Sequence, residues 1–307
     1  MSRRALVTGV SGFAGRHLAR RLLADGWEVV GTRRSRRSGV EGVDERQVDL
    51  VDARALTSVV QDARPTHVFH LAAVVDTVTT PDVLQLYRTN TLGTAALLEA
   101  VGATEGVERV LVASSAFAYG RPAAGERPVR EDDPLTPLTA YGASKVAAEA
   151  IAQQWARAHD TEVVVTRAFQ HTGPGHVGAY ALADWAAQLV GGAESIRVGS
   201  LDVTRDYLDV RDVVDAYVAV MDRGAPSRTY NVASGRGVTM RRLLEGLIEV
   251  SGGTARIELD PARVRAIDTP VFVADITRLR EEIGWRERHT LTETLTELLR
   301  TADAARA

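Results

Sequence analysis

An α/β fold with a parallel, doubly wound sheet follows from three observations. Short apolar runs alternate with amphipathic helical segments through the first 168 residues. A glycine-spaced turn joins the first run to the first helix. No repeat of fixed period and no long low-complexity linker breaks the alternation.

Taken in order, Arg4-Ala-Leu-Val-Thr8 reads as a short buried strand. Residues 13–25 carry Phe13, Leu18, Leu22 and Leu23 at helical spacing. Residues 28–32 read as a second strand, and 33–44 as a basic, glycine-containing loop. A third strand is expected at 47–50, followed by a helix over 53–62. Residues 66–72 read as a fourth strand, and 83–101 as a long helix. A strand at 109–114, a helix at 139–159 and a strand at 162–168 complete the alternation. Beyond residue 170 the pattern weakens. The turns Gly173-Pro174-Gly175 and Gly191-Gly192 punctuate it. Helices are expected over 181–190, 210–222 and 239–251, with a strand at 228–232. The predicted organisation is a Rossmann-type dinucleotide-binding domain over 1–168. Residues 169–307 form a smaller, interleaved substrate lobe with segments crossing back to the first.

The chain has 307 residues, enough for one large α/β domain or two fused lobes. Its 45% hydrophobic and 25% charged content is that of an ordinary globular protein. The net charge of −3 argues against a nucleic-acid partner. No apolar run approaches 18 residues, so no membrane partner is expected. With no cysteine, disulfides, thiolate chemistry and cysteine-ligated metals are excluded, and no metal site is expected. The first strand begins without a preceding apolar leader, and the expected location is cytoplasmic.

Gly9-Val-Ser11-Gly12-Phe13-Ala14-Gly15 stands between the first strand and the first helix. Glycines there permit a tight turn and close backbone approach, and a helix N-terminus favours a pyrophosphate. The spacing is G-x-x-G-x-x-G; the strand–turn–helix context makes the triplet informative. A free ribose 2′-hydroxyl calls for an acid at the end of the second strand. That strand ends Thr32-Arg33-Arg34-Ser35-Arg36-Arg37 instead. A guanidinium cluster suits a 2′-phosphate, which favours NADP(H). A merely solvated basic loop would leave that choice open. Asp49-Leu50 is placed for the adenine end, although Asp49 could equally be a cap.

Lys and Arg total 37, and the only lysine is Lys145. It stands in Tyr141-Gly-Ala-Ser-Lys145, so both side chains share one helix face, one turn apart. An ammonium in that position favours the ionised phenol and is expected to lower the Tyr141 pKa. The result would be a proton donor and acceptor usable near neutral pH.

These features together resemble the extended short-chain dehydrogenase/reductase family. The glycine turn, Asp49-Leu50, His70-Leu71-Ala72-Ala73, Asn90-Thr-Leu-Gly-Thr94, Ser114-Ser115 and Tyr141-x-x-x-Lys145 fall in the family's order. The second half is most similar to the GDP-4-dehydro-6-deoxy-mannose reductases. Arg167-Ala-Phe-Gln-His-Thr-Gly-Pro-Gly175, residues 196–206, Asp209-Val-Arg-Asp-Val-Val214 and Asp260-Pro-Ala-Arg-Val-Arg265 carry that likeness.

The resemblance implies a nucleotide-diphosphate sugar substrate, NADP(H) and a homodimer pairing the 83–101 and Tyr141 helices. It implies that Tyr141 protonates the C4 alkoxide while Lys145 holds the nicotinamide ribose. Ser115 would bind the C4 oxygen, with Ser114 and Gln170 beside the substrate. Leu71, Ala72 and Ala73 would line the cofactor, with His171 at the nicotinamide end. Arg205 and Arg265 would take the diphosphate or nucleotide, with Arg263 competing for the role of Arg265.

Two departures narrow the chemistry. The family's 4,6-dehydratases carry an Asp-Glu pair after the catalytic Ser or Thr; here Ala116 and Phe117 stand there. Elimination is therefore disfavoured and ketone reduction favoured. Typical reductases of the family still carry a glutamate where Phe117 stands, and Gln170 replaces the family's usual Asn. Both changes point away from the mannose-configured GDP sugar, toward a differently configured 4-keto-6-deoxy sugar such as a dTDP sugar. An epimerase with tightly held NAD and a non-catalytic dinucleotide sensor are the competing readings.

Overall fold

The computed structural model describes residues 3–75, 82–121, 127–178, 180–264 and 269–304. The chain runs β1 (Arg4–Thr8), α1 (Phe13–Ala24), β2 (Glu28–Arg33), β3 (Asp44–Gln47), α2 (Ala53–Ala63) and β4 (His67–His70). Next come α3 (Val83–Tyr87), a π turn (Arg88–Leu92), α4 (Gly93–Gly102), β5 (Arg109–Ser115), α5 (Ala140–Ala156) and β6 (Glu162–Ala168). The remainder is β7 (Gln170–Thr172), α6 (Ala181–Val190), β8 (Ser195–Val198), β9 (Thr204–Asp209), α7 (Val210–Arg223) and β10 (Thr229–Val232). It continues through β11 (Gly237–Thr239), α8 (Met240–Ser251), β12 (Arg256–Leu259), β13 (Val271–Phe272), α9 (Thr277–Glu282) and α10 (Leu291–Ala304).

Among the described residues, seven strands form one parallel sheet in the order β10-β6-β5-β4-β1-β2-β3. The order reverses at β1, between β2 and β4, which opens a crevice above the strands' carboxyl ends. Both faces of this sheet are covered, and the strands show it. Ala5 and Val7 enter one core and Leu6 the other, all without exposure. In β5, Leu111 and Ala113 face one way while Val110 and Val112 face the other. Alternation is real but hidden, because both sides are apolar. Each fully buried Leu or Val contributes about 1.5–3 kcal/mol of transfer free energy.

The third strand lies three residues earlier than its expected place at 47–50. β3 is Asp44–Gln47, a polar edge strand paired Val30↔Asp44 through Arg33↔Gln47. Val48 still donates to the Arg33 carbonyl at 3.0 Å, and both Val48 and Leu50 are buried in the core on that side of the sheet. An edge strand has one ladder and one wet side, so apolar content does not mark it. The expected long helix at 83–101 is also interrupted. α3 and α4 are joined by the π turn at Arg88–Leu92.

The C-terminal part returns to the sheet twice. β10 adds to its edge beside β6, and α7 packs on α1. Its own core joins Leu182, Trp185, Leu243, Leu247 and Leu298 from α6, α8 and α10. Among the described residues no helix is long and apolar enough to cross a membrane, and no group of acids and histidines could hold a metal.

Candidate active site

The glycine turn sits where β1 meets the crevice. Gly9 has φ +72°, and a Cβ there would lie 2.8 Å from the Ala72 Cα. A Cβ on Gly15 would come within 2.2 Å of the Gly9 carbonyl oxygen. The turn and the segment after β4 are thus pressed together as only glycine permits. Gly12 is the N-cap of α1 and supplies no side-chain cap. A side-chain-free, uncapped helix N-terminus in a sheet crevice fits a dinucleotide pyrophosphate. Ser11, Phe13 and Ala14 complete the turn, half-buried. Leu71, Ala72 and Ala73 follow β4 across from it, also half-buried.

α5 brings Tyr141 and Lys145 onto its buried face, with Thr139 capping the helix through the Gly142 N–H at 3.0 Å. Lys145 Nζ donates to the Ala113 carbonyl at 2.8 Å and lies 5.8 Å from the centre of the Tyr141 ring. Ser115, at the end of β5, lies beside the Tyr141 phenol and pulls its pKa down, while its own hydroxyl accepts the Phe117 N–H at 3.2 Å. Phe117 meets the same ring edge-on at 5.9 Å. So Ser115, Tyr141 and Lys145 do come together. The electrostatics differ from the expectation. Burial pushes the Tyr141 phenol up to about 12, opposed by Ser115, and Lys145 does not lower it. Burial also brings Lys145 down to about 8, against the pull of Glu149. Desolvation dominates at both groups because both are enclosed.

Glu149, one further turn along α5, went unnoticed in the sequence. Its carboxylate pairs with Arg167 of β6, with Nη2 to Oε2 at 2.7 Å, and both are buried. Arg167 also donates to the Tyr119 hydroxyl at 3.0 Å and the Glu131 carbonyl at 2.8 Å. The signal was present: Tyr141, Lys145 and Glu149 recur every four residues. Ser114, expected beside the substrate, joins this pair. Its hydroxyl donates to Glu149.

The arginines of the second strand's end divide. Arg33 is tied to Glu45 at 2.9 Å, the Ser35 carbonyl at 2.6 Å and Gln47 at 3.2 Å. Its partner acid comes from β3, not from the β2 sequence. Arg34 and Arg36 are exposed. Arg16, on α1, was missed. Its pKa is lowered by burial first, then by repulsion from Arg36 and Arg20. Among the described residues Arg16 has no ion pair. Asp49 accepts the Val51 N–H at 3.2 Å in a local turn, while Asp52 caps α2, and Leu50 is buried against Gly93.

His171 follows β6, its Nδ1 3.0 Å from the Phe169 carbonyl, and stacks on Phe13 at 6.0 Å. His176 stacks on Phe13 at 4.3 Å and meets Tyr180 at 4.8 Å. Histidine and tyrosine thus bridge the glycine turn to the start of α6. Gln170 begins β7 half-buried, and its Oε1 has no hydrogen-bond partner among the described residues.

The arginines expected to bind phosphate already hold partners within the chain, or lie outside the described residues. Arg205 is buried and donates to the Thr204 and Thr269 carbonyls, each at 2.7 Å. Arg263 pairs with Asp184 at 2.5 Å and Asp260 at 3.6 Å on the lobe surface. Arg265 lies outside the described residues.

A parallel sheet with a glycine turn at its order reversal, and a buried Ser-Tyr-Lys set beside it, is the frame of a dinucleotide-binding class. The model of the NAD dependent epimerase/dehydratase family matches residues 5–233. The chain belongs to this family. It is 31% identical to the GDP-6-deoxy-D-mannose reductase of Pseudomonas aeruginosa, over 97% of each chain. It is 33% identical to a UDP-glucose 4-epimerase of Mycolicibacterium smegmatis, over 94% of this chain and 95% of that one. The structure of RMD from Pseudomonas aeruginosa complexed with NADPH superposes with a TM-score of 0.86. That chain is 29% identical, with 99% of this chain and all of that one covered.

Proposed function

We propose that the protein is an NADPH-dependent 4-ketoreductase of a nucleotide-linked 4-keto-6-deoxyhexose. The observation that carries this reading is Phe117, not a carboxylate, packed edge-on against the Tyr141 ring at 5.9 Å, with the Lys145 ammonium 5.8 Å from the same ring. The site can give a proton to a C4 alkoxide, but the positions after Ser115 offer no acid for eliminating a neighbouring hydroxyl.

The dinucleotide, when bound, supplies the hydride. The chain's residues do the rest. Ser115 orients the carbonyl oxygen, Tyr141 gives it a proton, and the Lys145 ammonium lies one turn away to hold the ribose. Gly9, Gly12 and Gly15 keep side chains off the pyrophosphate. Arg16, Arg34 and Arg36 take the 2′-phosphate, which their unbalanced positive charge supports. The relative named a GDP-6-deoxy-D-mannose reductase supports the sugar class. Gln170 and Phe117 favour a sugar of another configuration, and a dTDP-linked one is the first to test.

The protein acts as a homodimer through α3, α4 and α5. Leu84 and Leu92 are 67% and 60% exposed beside α5, which presents Ala143, Ala147 and Ala150 outward. The competing reading is a C4 epimerase, supported by the epimerase relative of similar identity. Loss of NADPH absorbance with GDP- and dTDP-4-keto-6-deoxyhexoses made in situ separates them. Stoichiometric oxidation with one sugar supports the reductase. Isomerisation without NADPH consumption overturns it in favour of the epimerase.

A further inference from the structure

His70 ends β4, 3% exposed, at the point where the segment expected to line the dinucleotide begins. Both of its ring nitrogens are engaged. Nδ1 is 2.7 Å from the Thr8 hydroxyl and Nε2 is 2.9 Å from the Thr94 hydroxyl. The proton positions follow from what lies beyond. Thr94 donates its hydroxyl proton to the Asn90 carbonyl at 2.7 Å, so it accepts from His70 Nε2–H. His70 Nδ1 is then a lone pair, and the Thr8 hydroxyl donates to it. The Thr8 oxygen in turn accepts the Ala72 N–H at 3.2 Å.

The chain of bonds continues on the other side. The Asn90 amide clamps Val74, taking its N–H at 2.7 Å and giving to its carbonyl at 3.0 Å. The same amide donates to the Ser144 hydroxyl at 3.0 Å, and Ser144 donates to the Tyr141 carbonyl at 2.7 Å. Thr8, His70, Asn90, Thr94 and Ser144 are all buried. The π turn gives Asn90 its place within α3–α4. One continuous buried path therefore runs from the residue before Gly9, through the 71–74 segment, to the backbone of Tyr141. Each link has one donor and one acceptor, so an unpaired member cannot recover a partner from solvent.

We propose that His70 is a positioning residue that ties the seating of the dinucleotide to the seating of Tyr141. It does so as a neutral Nε2–H imidazole. Burial, with Lys145 nearby, holds its pKa at about 3, so the ring keeps this donor–acceptor polarity across the working pH range. A cation there would turn Nδ1 into a donor facing the Thr8 hydroxyl. The link rests on the dinucleotide reading above, not on the identity of the sugar.

The test uses the full-length protein with His70→Phe, Thr94→Val and Ser144→Ala. NADPH and NADH affinities are read by fluorescence titration, and fold integrity by circular dichroism and thermal melting. The expected result is a rise in dinucleotide Kd on the order of tenfold in H70F, with a smaller rise in T94V, in protein that remains folded. Thr94→Val is close to isosteric and keeps the test alive if H70F does not fold. Combining Thr94→Val with Ser144→Ala should give a non-additive effect on Kd, since both variants cut the same path. A purely structural role would lower the melting temperature and leave the Kd of the folded protein unchanged; that result overturns the proposal. If the wild-type protein binds neither dinucleotide, it is the dinucleotide reading that fails, and His70 with it.

Discussion

Arginine does opposite work beside the glycine turn and on the surface of the C-terminal lobe. Around the glycine turn, Arg16 faces Arg36 and Arg20, and burial and mutual repulsion both lower its pKa. In the C-terminal lobe, arginines meet acids at the surface: Arg263 with Asp184, Arg236 with Glu287, Arg228 with Glu282. Exposed pairs of that kind contribute about 0–1 kcal/mol each. A cluster of like charge costs stability until an anion joins it. The difference teaches where this chain keeps binding potential in reserve and where it only decorates its surface. A third use lies between them: the buried Arg167–Glu149 pair beneath the catalytic helix.

Five experiments test this contrast. The largest effect is expected at the site itself. Tyr141→Phe should cost about 10²–10⁴-fold in kcat with NADPH affinity little changed, measured by steady-state kinetics and titration. An active Y141F enzyme would remove the catalytic half of the comparison.

Glu149→Ala leaves the buried Arg167 charge unpaired. A loss of about 3–5 kcal/mol is expected, read by urea unfolding. A loss under about 1 kcal/mol would place this pair with the surface ones.

Arg16→Glu should shift the NADPH-to-NADH preference of kcat/KM toward NADH by at least about tenfold. An unchanged ratio would mean that the arginine cluster serves no 2′-phosphate.

The Lys145 ammonium has a folded pKa of about 8, below its usual value of 10.5. Between those values the unfolded chain holds a proton that the folded chain has released. The lysine's contribution to stability therefore rises with pH in that window. Urea melts of wild type and Lys145→Met at pH 7 and pH 10 should show any advantage of the variant shrinking at the higher pH. A constant difference would contradict the lowered pKa.

The smallest effect is expected at Arg263→Ala: less than about 1 kcal/mol in stability, and unchanged KM for the sugar. A large rise in KM would return Arg263 to the substrate site and collapse the contrast between the lobes.

Much of the first half was legible because its signals are local. Gly9 to Gly15 and Tyr141 to Lys145 lie within single turns, where spacing alone fixes geometry. The same periodicity extends to Glu149, which shows that a readable signal can still be passed over. The second half was harder. β7, β8, β9, β11, β12 and β13 run two to six residues each. They form a four-stranded sheet and a two-stranded one whose partners are far apart in the chain. The pairing of Arg33 was hidden for a related reason. Its partner Glu45 stands on the next strand, twelve residues away, and only pairing of β2 with β3 brings it near.

By itself the sequence determined the α/β class, the glycine turn and the helical Tyr-Lys pair, since each depends on neighbours a few residues apart. The tertiary structure alone decided which cations are neutralised, that the phenol's pKa rises, and that Thr8, His70, Asn90 and Ser144 form one path. Those outcomes depend on burial and on contacts between residues tens of positions apart, which no local spacing encodes.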